Sequence, residues 1–462
     1  MEEAVKQPVE KPQVKEDITR KEIASYFGYG FGQCISFGLI GSYILFFYTD
    51  ILGISAAAAS LIFVIARVWD AVNDPLMASI MDTLHGKNGK FRPYLKFMPF
   101  FIVVSTIVCF LPLDGMSDTA KILFAGSTYI LWGMIYTVSD VPYWSLSTVM
   151  SQDSQQRTKL ITFANMGVFM GIGLSPVFFI PLTEFLGQGN QGQGYFLATV
   201  VLMLVALPLM LNGFKNTKER VKPPKTKVKM SDAVRAIRAN KPMFAILAVF
   251  FCNVFMNITQ GLNVFFFTYN LGSAALMSIF GVISLASCLG FFVIPSLAKR
   301  FKKKNLLMVI LVIDIAVRIV WFMSGYQSVI LSFVFITITM FLYTATGPLI
   351  SSMLAETIEY TEYKTGKRNE AVTFSGQTFT GKLSVAAAGG LTGMILVWIN
   401  YVPNEAQTQA TMDGLFFVVA FLPALGSLIR LVIMYFYSYT EDEYNAIVQE
   451  LQFRREAQSP TT

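Results

Sequence analysis

The chain has 462 residues, of which 54% are hydrophobic and only 14% charged, and its formal net charge is +7. Soluble globular domains carry roughly 25% charged residues, so with a mean hydropathy of +0.54 an ordinary water-soluble fold is excluded. One histidine, His85, rules out a histidine-based metal site or triad, and the four cysteines (Cys34, Cys109, Cys252, Cys288) all lie in apolar stretches, which argues against a disulfide framework.

Taken in chain order, residues 1–24 are charged and lack the apolar core of a signal peptide, so they read as a cytoplasmic tail. Apolar runs come next at 26–48, 56–81, 94–113, 121–149, 158–183, 194–213, 242–269, 274–298, 305–324, 328–354, 371–400 and 411–437. Each is long enough to cross a hydrocarbon core of about 30 Å as a helix, and none shows the short alternation of a membrane barrel. The expected fold is an all-α membrane protein of twelve transmembrane helices in two six-helix halves, 25–213 and 242–437. A basic central loop, 214–241, joins them, and a second cytoplasmic tail covers 438–462. The second part of the central loop has amphipathic spacing, with Ser231 as a candidate N-cap for a surface helix; a solvated linker is the alternative.

Loop charge gives the orientation. With the N-terminus inside, the inner loops 82–93, 150–157, 214–241, 299–304 and 355–370 all carry Lys or Arg, whereas the outer loops carry none and Lys121 borders one. This is the positive-inside pattern, so both termini are expected in the cytoplasm, with a bacterial inner membrane as the location. The same loops account for the net charge, which therefore does not signal nucleic-acid binding. The loops after helices 2 and 8 are loosely alike, as expected of two halves that rock about a central site.

Ionisable residues inside the spans cost about 2.5–3.5 kcal/mol each on insertion scales and so mark function or pairing. They are Arg67, Asp70 and Asp74 in helix 2, Asp140 in helix 4, Asp314 and Arg318 in helix 9, and Lys382 in helix 11. Asp70 and Asp74, four apart, put two carboxylates on one helix face with Asn73 at its edge. Their repulsion calls for a cation or a proton, or for pairing with Arg67. Counted from the cytoplasmic span ends, Asp70, Asp74, Asp140 and Lys382 lie 11, 7, 9 and 11 residues deep. That corresponds to roughly 10–16 Å, one layer near mid-membrane. Asp314 and Arg318, also four apart, read as a structural ion pair.

The segments RVWDAVNDPLMASIMD and KNGKFRPYL, YILWGMIYTVSDVPYWSL, ETIEYTEYKTGKRNEA and SGQTFTGKL occur in this order. Together they resemble the glycoside–pentoside–hexuronide:cation symporters, a branch of the major facilitator superfamily. The resemblance implies a cation site at Asp70 and Asp74, where Na⁺ would bind, with Asn73 and Thr137 tied to sodium selectivity. Lys382 and Arg67 would adjoin it as coupling residues. It implies a sugar site at Asp140 and Trp144 in helix 4 and at Gln377 and Thr378 in helix 11. A galactoside-carrying member has a Lys-Asp pair where this chain has Gln33 and Cys34, and an arginine where it has Asn165. These three positions belong to the sugar site by alignment, yet galactoside specificity does not carry over.

Cation-coupled symport of a sugar or glycoside by alternating access is therefore the expected function. No cofactor is expected beyond the co-transported Na⁺ or H⁺; the partners are the sugar, the monovalent cation and the lipid bilayer. Two carboxylates, an amide and a hydroxyl suit Na⁺, whereas a proton needs one carboxylate, so the residues leave both cations open. An anionic sugar such as a hexuronide, or a lysolipid as carried by animal relatives of the family, are the alternatives. Rings of charge expected of a channel, and the nucleophile or metal ligands expected of an enzyme, are not visible in the sequence.

Overall fold

The computed structural model describes residues 17–83, 89–151, 154–220, 240–298, 300–366 and 370–458. His85 and Ser231, and the side chain of Asp74, lie outside the described residues. The regular elements are helical: α1 (Arg20–Ile51), α2 (Ala56–Thr83), α3 (Arg92–Cys109), α4 (Asp118–Met150), α5 (Ser154–Gly187) and α6 (Gln191–Asn216) form one half. The other comprises α7 (Lys241–Asn270), α8 in two pieces (Leu276–Ser287 and Gly290–Ala298), α9 (Lys303–Ser324), α10 (Val329–Thr365), α11 (Glu370–Trp398) and α12 (Gln409–Phe436). Among the described residues ten helices are long and apolar enough to cross a membrane; α2 and the broken α8 complete the expected twelve.

Three boundaries differ from those expected, one of them the end of α10, which continues as helix to Thr365 and stops at Gly366 (φ 68°) where a loop from 355 was expected. Helix α1 begins at Arg20 rather than 26, because Thr19 and Glu22 form a capping box: the Thr19 hydroxyl accepts the Glu22 N–H at 3.2 Å, and the Glu22 carboxylate accepts the Thr19 N–H at 2.9 Å. Such caps satisfy orphan amides without any apolar residue, so hydropathy does not register them. The C-terminal tail, in turn, contains a polar helix, α13 (Glu441–Gln458). It is fastened to the second half by Lys302 Nζ on Asp442 (2.5 Å), by the Lys303 N–H on Glu441 (2.9 Å) and by Arg454 lying 4.8 Å over the Tyr363 ring.

Within the first half α1 packs on α5 and α6, α3 on α4 and α6, and α2 on α4; within the second, α9 packs on α10 and α12. The halves meet along α2–α11, α5–α8 and α1–α7. At α2–α11 the approach is close enough to require glycine, since a Cβ on Gly393 would lie 2.6 Å from the Ser60 Cβ. Ser60 Oγ donates to the Gly390 carbonyl at 3.2 Å, and at α5–α8 Ser278 Oγ donates to the Pro176 carbonyl at 3.4 Å. Both contacts lie toward the end of the bundle remote from the termini. The buried apolar residues divide in the same way. One core runs through the whole first half and the far end of the second, while the second half has a separate core near the termini, around Leu307, Leu354 and Met434. Among the described residues, the contacts that join the halves thus gather toward the far mouth.

Candidate functional site

Helix α4 is organised around one stripe. Tyr129, Trp132, Tyr136 and Asp140 recur at intervals of three and four, the spacing of one helix face. Trp132 lies between the two tyrosine rings, 5.9 Å from Tyr129 and 5.3 Å from Tyr136, and its Nε1 donates to Ser36 Oγ of α1 at 2.9 Å. The stripe carries a polar cluster at each end.

At the Tyr129 end, Arg67 Nη1 donates to Asp70 Oδ2 and Nη2 to the Tyr129 hydroxyl, both at 2.9 Å. The two charged side chains of this pair are only about a quarter exposed, at 24% and 26%. Gly133, one turn after Tyr129, leaves room for the carboxylate: a Cβ there would stand 3.3 Å from Asp70 Oδ1. Arg67 reaches the boundary between the halves, since a Cβ on Gly389 of α11 would lie 3.4 Å from its Nε. Asn73 and Thr137 are buried, and Asn73 Nδ2 has no hydrogen-bond partner among the described residues. An amide's O and N are interchangeable in assignment. Turned over, Asn73 offers a hard oxygen ligand in that position.

At the other end, Gln33 of α1 uses both atoms of its amide. Nε2 donates to Asp140 Oδ1 at 2.8 Å, and Oε1 accepts from Ser139 Oγ at 2.7 Å, while Ser139 and the Tyr29 hydroxyl are 2.6 Å apart. Gln33 therefore orients the carboxylate. Cys34 Sγ lies 3.7 Å from the Tyr136 hydroxyl. Trp144 is half-buried, edge-on to Tyr143 at 5.2 Å.

The aligned positions on other helices are arranged differently. Gln377 donates to Ser351 Oγ of α10 at 3.3 Å, and Thr378 and Lys382 are exposed on α11. Asn165 is exposed and donates to the Ile161 carbonyl of its own helix at 3.0 Å.

Two groups went unnoticed in the sequence. Arg430 of α12 is buried, donating to the Val249 carbonyl (3.2 Å) and Asn253 Oδ1 (2.6 Å) where α7 is interrupted; a lone arginine in LGSLIRLVIMYF was signal enough. It shares a pocket with Asp314 and Arg318, which form an ion pair within α9 (Arg318 Nε to both carboxylate oxygens, 3.0 and 3.1 Å) braced by Ser427 Oγ at 2.6 Å. The other is Asp50, which hydropathy assigns to a loop.

Residues 27–441 match a family model described as MFS/sugar transport protein. The uncharacterized symporter YnaJ of Bacillus subtilis (strain 168) is 32% identical over 456 residues, covering 96% of this chain and 97% of the relative. The isoprimeverose transporter of Lactiplantibacillus pentosus is 29% identical, covering 92% and 89%. Among solved structures, a bacterial homolog of the human lysosomal transporter Spinster, in an inward-facing and occupied conformation, matches with a TM-score of 0.65 at 15% identity, over 92% of this chain and 97% of that one. That likeness speaks to fold alone. The relatives are membrane transporters and not enzymes, and the chain is a multi-pass membrane protein that belongs to the MFS/sugar transport protein family, the major facilitator branch its helix 2 and helix 4 motifs resemble.

Proposed function

We propose that the protein is a cation-coupled symporter of an uncharged sugar or glycoside, working by alternating access across a bacterial inner membrane with both termini in the cytoplasm. The observation that carries this reading is the α4 stripe, which joins an oriented acceptor, Asp140, to the Arg67–Asp70 cluster through Trp132. A carboxylate accepts sugar hydroxyls, and the indole of Trp144 suits the apolar face of a pyranose ring. The acceptor carboxylate, oriented by the neutral amide of Gln33, repels a second carboxylate, which favours an uncharged sugar over a hexuronide. The sugar named for the isoprimeverose transporter supports the substrate class.

In the proposed cycle a Na⁺ or H⁺ at Asp70 and Asp74 relieves their mutual repulsion and competes with Arg67 for Asp70. Release of Arg67 changes its contact with Tyr129, and so the setting of the α4 stripe on which Asp140 sits. By linkage the sugar raises cation affinity by the same factor as the cation raises sugar affinity. A cation entering down 100 mV contributes about 2.3 kcal/mol, enough to sustain an approximately fiftyfold sugar gradient.

The test is uptake by proteoliposomes of a panel of labelled pentosides, hexosides and hexuronides under imposed Na⁺ or H⁺ gradients. Accumulation of a neutral glycoside under at least one gradient is expected. Accumulation of none of the panel under either gradient would refute symport, and a strong preference for hexuronides would refute the neutral-sugar reading.

A further inference from the structure

The far mouth is closed on a single carboxylate. Asp50, at the end of α1, is 7% exposed, and Thr49 donates to its Oδ2 at 2.6 Å from the same half. From the other half the hydroxyls of Tyr269 and Tyr401 both donate to Oδ1, which brings their two oxygens to 3.0 Å from each other. Among the described residues no lysine or arginine is ion-paired with Asp50.

The backbone is shaped for this meeting. Helices α1 and α7 each end in a π-helical turn, Phe47–Ile51 and Phe266–Asn270. A π turn admits an extra residue and re-aims the side chains beyond it; such turns are rare and frequently sit at functional positions. Here the two equivalent turns direct Asp50 and Tyr269 at each other. Tyr401 arrives on the loop after α11, where Asn400 and Asn404 take left-handed φ values of 56° and 61°, a conformation asparagine tolerates better than most residues. Beneath the carboxylate, Phe265 stands edge-on to both Phe46 and Tyr401, at 5.2 Å in each case. This apolar floor keeps water out, and exclusion of water strengthens each bond to the carboxylate.

A buried carboxylate needs its lone pairs satisfied. Here two of its donors come from the opposite half, so that satisfaction lasts only while the mouth is shut. On opening, the carboxylate and two neutral hydroxyls pass into water, and no buried cation is left stranded as it would be in an ion-pair gate. We propose that Asp50, Tyr269 and Tyr401 are the latch of the far mouth: a hydroxyl–carboxylate clasp that opens once per transport cycle and sets the fraction of carriers open on that side.

The test is double electron–electron resonance on the full-length protein in nanodiscs without substrate, with the native cysteines replaced. Spin labels go on Met116→Cys and Gln327→Cys, exposed positions at this end of the two halves. The parent should populate mainly the short, closed-mouth distance. Asp50→Asn, and separately Tyr269→Phe combined with Tyr401→Phe, should raise the open-to-closed ratio by about tenfold or more. The tyrosine pair keeps the rings and their packing, so it carries the test should Asp50→Asn fail to fold. Distance distributions unchanged from the parent in the tyrosine pair would overturn the latch. Because no substrate is present, the outcome is independent of whether the protein carries a sugar.

Discussion

Replacing Gln33 with Leu probes how Asp140 is held. The side chain keeps nearly the same volume but loses the 2.8 Å donor to Asp140 and the 2.7 Å acceptor of Ser139. A hydrogen bond to a charged group is worth about 1.5–3 kcal/mol and a neutral one about 0.5–1.5 kcal/mol. If sugar binding requires Asp140 in its present setting, Gln33→Leu should weaken it by about tenfold to a hundredfold. Ser139→Ala removes two neutral bonds, to the Gln33 amide and to the Tyr29 hydroxyl, neither of which touches Asp140, and should weaken it by about twofold to tenfold. Gln33→Glu should be the most damaging of the three, because it sets a second carboxylate against the first; at about 4 Å and an effective dielectric of 20 the repulsion is near 4 kcal/mol. Sugar affinity is read by titrating the purified carrier with the glycoside that the uptake panel selects. The reasoning fails if Gln33→Leu binds sugar as the parent does while Asp140→Ala does not, or if Ser139→Ala is the more harmful change.

Asp70→Asn and Asp74→Asn should each abolish gradient-driven accumulation while leaving the protein folded; full coupling in both, measured in proteoliposomes, would remove them from the cation site. Asn165→Ala, at an exposed side chain bonded to its own helix, should change sugar affinity by no more than roughly twofold. Glu219→Ala removes a carboxylate that accepts three backbone N–H groups at the start of α3, from Lys90, Phe91 and Arg92 at 2.7–2.9 Å. A loss of about 1.5–3 kcal/mol of stability is expected, read as a lower unfolding midpoint, and an unchanged midpoint would contradict it. Asp314→Ala strands Arg318 in the second half and should cost about 3–5 kcal/mol; the paired change Asp314→Leu with Arg318→Met should recover monodisperse protein where the single change does not.

Lipid dictates which features are legible in the sequence. A span must be long, apolar and hydrogen-bonded within itself, so helix number and approximate bounds appear in hydropathy alone. The ends of α1 and the existence of α13 do not, because they rest on a Thr19–Glu22 cap and on surface ion pairs. The site was legible where its partners are local: Arg67 and Asp70 are three residues apart, and their pairing is a consequence of helix geometry. Tyr129, 62 residues from Arg67, and Gln33, 107 residues from Asp140, become neighbours only through packing. Alignment groups Gln33 and Asn165, and packing gives them different settings: one braces Asp140, and the other is exposed with one bond to its own backbone. Asp50 escaped notice because a π turn extends α1 past the point where hydropathy falls.

In the proposed cycle a cation at the α2 carboxylates and a sugar at Asp140 bind to one coupled site. That coupling is tested most directly by titrating the selected glycoside into the purified carrier with and without saturating Na⁺, then Na⁺ with and without the glycoside, and by repeating the sugar titration across pH. One cation should raise sugar affinity, the sugar should raise affinity for that cation by the same factor, and both effects should vanish in Asp70→Asn. Sugar binding that responds to neither Na⁺ nor pH in the parent protein would contradict it.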